Sequence, residues 1–235
     1  MRRRDEGSTR TNSDVANHAE DEKEHGKLFA YSGPGSVWSD ITRTASVTTS
    51  ETKFLVHPHI AEFYCFLTSP AYLLPCSLWW SSTSSLPTCF HVALIFCAQT
   101  AFFSLIYHAT VMKALGSLDA AQAVMTFYTV SLILAGVLDM KVHLVVIAVL
   151  CSLFVYNWRK TAKLSIYLTS LVVPYSMYTL WINGEWLADV VFVVGVASFL
   201  LDRYRCIPLH SLWHACAAFT CHRCCQLGMK LHVLH

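Results

Sequence analysis

The sequence predicts an all-α, polytopic membrane protein: a seven-transmembrane helix bundle behind a disordered polar N-terminal tail. Three observations lead there. Of 235 residues, 54% are hydrophobic and only 14% charged, against about 25% in an ordinary soluble domain. The charges are also segregated, since residues 1–53 hold eight Lys/Arg and nine of the 15 Asp/Glu. Beyond them, the chain reads as apolar stretches separated by short polar punctuation. This arithmetic excludes a soluble enzyme. A formal net charge of +2 supplies no basic field for nucleic acid.

Residues 1–53 are rich in Ser, Thr, Asp, Glu and Gly and show no helical or strand period, so they are expected to be a mostly disordered tail. The first apolar stretch begins only near residue 54, which is not the layout of a secretory signal peptide. The ten cysteines do not describe a disulfide framework: Cys65, Cys76, Cys97, Cys151 and Cys216 stand singly in apolar runs, where a thiol serves as a small hydrophobe.

Seven stretches are then measured against the roughly 20 residues that a spanning helix needs. The first, 60–80, is interrupted by Pro70 and Pro75 and ends in Trp79-Trp80. The second runs over 88–110 and the third over 118–138. The fourth, 142–157, ends in Asn157-Trp158-Arg159-Lys160, an aromatic and basic interface pattern. The fifth, 162–182, contains Pro174; the sixth covers 186–201 and the seventh 207–226. The organisation is therefore a tail at 1–53, a membrane domain at 54–227 and a short C-terminal tail at 228–235.

Ionisable residues inside apolar spans are costly and are candidates for function. His108 lies near the end of span two, with Ser104 one turn earlier. Asp119 opens span three, and His210 and His214 open span seven. Residues at i and i+4 share a helix face, so His210 and His214 can hold one ion, and Ser104 and His108 point the same way. Adjacent spans run in opposite directions, which brings all five residues to one membrane face at similar depth. A lone intramembrane histidine is more often a helix–helix hydrogen-bonding group. Three imidazoles with a vacant fourth position, however, are the pattern of a catalytic zinc site. Zinc brings the pKa of water to around 7, a carboxylate alongside can move the proton, and a nearby hydroxyl can donate to an oxyanion. The constellation predicts metal-assisted hydrolysis. His91 and His143 fall at the opposite face and are read as structural, while Glu185 and Asp189 are read as a solvated helix start.

Ser104-x-x-x-His108, Asp119 eleven residues on, and His210-x-x-x-His214 resemble the marks of the seven-span hydrolase superfamily that contains the alkaline ceramidases, GPI-lipid remodelling proteins and the progesterone and adiponectin receptors. Tyr107-His108-Ala109-Thr110-Val111, and Leu201-Asp202-Arg203 with Cys206 before His210-Ser-Leu-Trp213-His214, are similar to the ceramidase branch. The likeness covers residues 88–220. The chain departs from it at Ala120, where ceramidases carry Glu, and in the N-terminal calcium-binding stretch, which Trp38-Ser39-Asp40 does not match.

The resemblance implies that His108, His210 and His214 bind Zn2+, that Asp119 activates water, and that Ser104 assists at the oxyanion. It implies hydrolysis of the ceramide amide to sphingoid base and fatty acid, by an integral protein of the endoplasmic reticulum or Golgi. The same chemistry would suit an acyl-ester hydrolase remodelling GPI or phospholipids, and a third reading is a receptor-like protein whose metal ties helices together. Orientation divides the signals. Lys53, Lys113, Arg159, Lys160, Lys163, Arg203 and Arg205 share the site's face, which the positive-inside rule makes cytosolic. The resemblance implies the reverse, as does Cys224-Cys225 if that pair is palmitoylated beside the membrane.

Overall fold

The computed structural model describes residues 41–45, 48–81 and 86–233. Trp38-Ser39-Asp40 and most of the predicted tail lie outside them. Ala45–His235 forms one unit. Among its described residues it is helical, with no strand: α1 (Phe63–Thr68), a 3-10 segment (Ser69–Ser77), α2 (Leu78–Ser81), α3 (Thr88–Thr110), α4 (Lys113–Leu134), α5 (Met140–Tyr156), α6 (Thr161–Ile182), α7 (Trp186–Arg203) and α8 (His210–His232).

Each of the seven apolar stretches becomes helical. Two helices, Thr88–Thr110 and Lys113–Leu134, are long and apolar enough to cross a membrane; Met140–Tyr156 is apolar but shorter.

Proline explains the first stretch. Pro70 and Pro75 cannot donate backbone hydrogen bonds and crowd the preceding turn, so the chain leaves α1 at Thr68 and continues as a 3-10 segment rather than one long helix. That break leaves Thr68 and Ser69 turned towards α8 and α3. The joint between α3 and α4 is equally specific. Val111 closes α3 in the left-handed region at φ 48° and its N–H reaches the Tyr107 carbonyl at 2.6 Å. A β-branched residue there is a genuine outlier. It turns the chain within two residues, and α4 begins at Lys113, earlier than the expected 118. Asp119 thus sits in the second turn of α4 rather than at its cap.

Helix α3 packs along α4, and α7 along α8; α8 also meets α1, the 3-10 segment and α4. Close approach of α7 and α8 needs Gly195, where a Cβ would stand 2.6 Å from Cys216 Cβ. The core of this packing is Cys89, Phe90, Leu94, Ile133, Leu180 and Leu227.

Three expectations change. The unit begins at Ala45 rather than residue 54, because Thr49–Lys53 bind groups in α7 and before α1. Helix α8 extends to His232, so most of the expected C-terminal tail is helix. Cys224 and Cys225 are 3% and 0% exposed, packed in the core, which removes them as acylation sites in the folded chain.

Candidate metal centre

His108 lies in the last turn of α3, His210 is the first residue of α8, and His214 follows one turn later. Helices α3 and α8 both pack on α1, the 3-10 segment and α4, and this shared packing brings the three side chains together: one ring nitrogen of each lies within 4.8 Å of the others. Their ring centroids are separated by 4.9 Å (His108–His214), 5.0 Å (His210–His214) and 5.5 Å (His108–His210).

The outer nitrogens are held from behind. His108 Nδ1 meets Glu62 Oε2 at 2.5 Å. His214 Nδ1 meets Thr68 Oγ1 at 3.1 Å, and His210 Nδ1 is 3.6 Å from Asp202 Oδ2. With Nδ1 of His108 and His214 hydrogen-bonded and that of His210 facing Asp202, the Nε2 atoms are the ones left for the centre. His108 Nε2 is fully buried and has no hydrogen-bond partner. A buried polar nitrogen without a partner is costly, and a metal ion held with the other two imidazoles would satisfy it. Oxygen groups orienting metal-ligating histidines are the ordinary outer layer of such a site.

Glu62, Cys65 and His108 form a second group whose ligand atoms lie within 4.8 Å of one another. Glu62 is already saturated there, accepting from the Thr49 N–H at 3.0 Å and from Lys53, besides its contact with His108. It is the orienting carboxylate of the first group.

Asp119, His210 and His214 line one cavity of about 1010 Å³. Tyr72, Tyr107, Phe127, Phe192 and Trp213 supply its aromatic wall, and α6 contributes Val173 and Pro174. Lys113, Lys160, Lys163 and Arg203, from helix ends on the site's side, also line it. Ser104 is 1% exposed and shares a hydrogen bond with Ser69 at 3.0 Å; it also interacts with the Asp119 carboxylate. It therefore stands behind Asp119.

The structure brings together all five residues singled out in the sequence. It adds Glu62, Thr68, Ser69 and Asp202. Glu62 was legible in principle, because it is a lone carboxylate inside the first apolar stretch; Thr68 and Ser69 carried no signal. His91 accepts from Trp79 Nε1 at 2.9 Å, and His143 Nε2 meets the Val137 carbonyl at 2.8 Å, both away from the centre. Asp189 is a correction. It is 7% exposed, with no hydrogen-bond partner on either oxygen, rather than solvated. Glu185 pairs with Arg223.

Comparison with known proteins finds no family model that matches the chain and no matching curated protein.

Proposed function

We propose that this chain is a seven-span, zinc-dependent membrane hydrolase of the ceramidase kind, cleaving the amide of ceramide or a related acyl lipid. The observation that carries the reading is a group of three histidines, two of which, His210 and His214, line one large, mainly apolar cavity together with Asp119. Three imidazoles are a donor set suited to zinc, with a position left for chemistry. Zinc held by His108, His210 and His214 would supply Lewis acidity towards water and the amide carbonyl.

The chain's own groups do the rest. Asp119 takes the proton of the attacking water and returns it to the amide nitrogen as the C–N bond breaks, leaving a fatty acid and an amine. Ser104, backed by Ser69, orients Asp119; its burial behind the carboxylate favours that task over the oxyanion role expected from sequence. The aromatic wall receives the acyl chains.

Membrane spanning is supported by the outer faces of α5, α6 and α7. They expose Val145, Val149, Val155, Leu171, Trp181 and Val194, large apolar side chains of the kind that a lipid-facing surface presents. Residence in the endoplasmic reticulum or Golgi rests on the sequence resemblance.

The test is hydrolysis by the purified, zinc-loaded chain in lipid vesicles, with a ceramide and an ester lipid carrying the same acyl group. Fatty acid and sphingoid base released from ceramide, and lost in Asp119→Asn, is the expected result. Release from the ester alone would replace the amidase with an esterase, and release from neither would overturn the hydrolase.

A further inference from the structure

The segment just before the helices touches the candidate centre at two separate points, and no part of the catalytic reading uses it. Thr49 donates its N–H to Glu62 Oε1 at 3.0 Å. Ser50 gives both its N–H, at 3.1 Å, and its hydroxyl, at 2.6 Å, to Asp202 Oδ1. The Glu51 carboxylate accepts the N–H groups of Tyr64 at 2.8 Å and Cys65 at 3.3 Å, in the first turn of α1. The Lys53 ammonium reaches Glu62 Oε1, and is also held by the carbonyls of Thr49 at 3.0 Å and Glu51 at 2.9 Å.

Glu62 precedes α1 and Asp202 closes α7, far apart along the chain. Each contacts the Nδ1 of a different histidine, Glu62 that of His108 and Asp202 that of His210. One oxygen of each carboxylate therefore faces a histidine while the other is taken by the same short segment. We infer that Thr49–Lys53 is a clasp: through Glu62 and Asp202 it sets the orientation of His108 and His210 together, and thereby the affinity of the centre for its metal ion.

The physical reason is division of labour at the carboxylates. Glu62 is 0% exposed, and a buried carboxylate without compensation is strongly disfavoured. Lys53 and the Thr49 N–H neutralise and solvate one oxygen, which keeps the other available to fix the His108 ring. Ser50 does the same for Asp202 without a charge. Because Lys53 also draws in the Thr49 and Glu51 carbonyls, the segment is folded on itself, so losing one arm loosens the other. Ser50 and Lys53 are positioning residues that never meet the metal or a substrate.

This inference rests on the metal reading above, and the test separates the two. Zinc affinity of the purified full chain is measured by chelator competition for wild type, Ser50→Ala, Lys53→Met, the double variant and Ser50→Thr. Removing an outer partner of a metal-ligating histidine typically weakens binding about 10–100-fold. Each single variant is expected in that range, Ser50→Thr close to wild type because it keeps the hydroxyl, and the double variant weaker than either but by less than the product.

Singles that bind zinc like wild type would overturn the clasp while leaving the metal centre standing. A double variant losing the full product would overturn the single-unit coupling. Loss of helix content in the metal-free Ser50→Ala and Lys53→Met chains, seen by circular dichroism, would overturn positioning in favour of a fold requirement. A wild-type chain that binds no zinc would overturn the metal reading, and the clasp with it.

Discussion

Asp119 decides between a catalyst and a scaffold. It sits in the second turn of α4, not at its cap, so a helix-capping role does not account for it. The carboxylate lines the cavity beside His210 and His214 without belonging to the three-histidine group. Asp119→Asn is therefore expected to keep zinc occupancy nearly intact while cutting turnover by about 10²–10⁴-fold, the usual worth of a positioned general base. Metal content and lipid hydrolysis measured on one preparation check this. On the proposed reading His214→Ala should do the opposite, losing most of the bound zinc, because it would remove one of the three proposed ligands and leave His210 and His108 without the second donor from α8. Elemental analysis of the purified variant reads that outcome directly.

At the scale of helices, the centre depends on how closely α7 approaches α8. Gly195 makes that approach possible: a Cβ there would stand 2.6 Å from Cys216 Cβ and 3.3 Å from Trp213 Cε3. Neither atom is the far end of a flexible chain. Gly195→Ala should force the helices apart and cost about 1–3 kcal/mol, the usual range for overpacking. Because Trp213 lies beside His214, zinc affinity should fall as well. Gly184, between α6 and α7, is the control. Its φ is +79° and nothing lies within 4 Å of its added Cβ, so Gly184→Ala should cost only the left-handed strain, about 1–2 kcal/mol. Zinc binding should then be unchanged. Thermal melts and zinc titrations of the two variants make the comparison.

For the whole molecule, a metal ion held by His108 from α3 and by His210 and His214 from α8 would act as a cross-link between helices that are distant in sequence. Free zinc at 1,000 times its dissociation constant should stabilise the chain by about 4 kcal/mol. The melting temperature should drop on chelation, and His214→Ala should melt at the same temperature with or without zinc. Truncation locates the boundary of the functional unit. Deleting residues 1–44 should leave zinc binding unchanged, since that composition cannot build a core and the helical unit begins at Ala45. Deleting residues 1–53 removes Ser50 and Lys53 and should weaken it. Calorimetric zinc titration of the two truncations provides the check.

By itself the sequence determined where the helices lie and which polar residues are costly enough to need a reason. Both are local properties. Hydropathy runs, Pro70 and Pro75 act within a few residues, and the i, i+4 spacing of His210 and His214 already places them on one face. Alternation of helix direction was enough to bring His108 and Asp119 to the same end. Only the tertiary structure decided which groups stand behind the histidines. The partners of His108 and His214 are Glu62, 46 residues away, and Thr68, 146 away. Ser50 reaches Asp202 across 152 residues. Such contacts follow from how helices dock, where a hydroxyl or carboxylate is chosen by the geometry of its neighbour and leaves no period in the chain. The start of α4 at Lys113, the burial of Asp189 and the packing of Cys224 and Cys225 into the core were decided the same way, by three-dimensional packing that no pattern of spacing records.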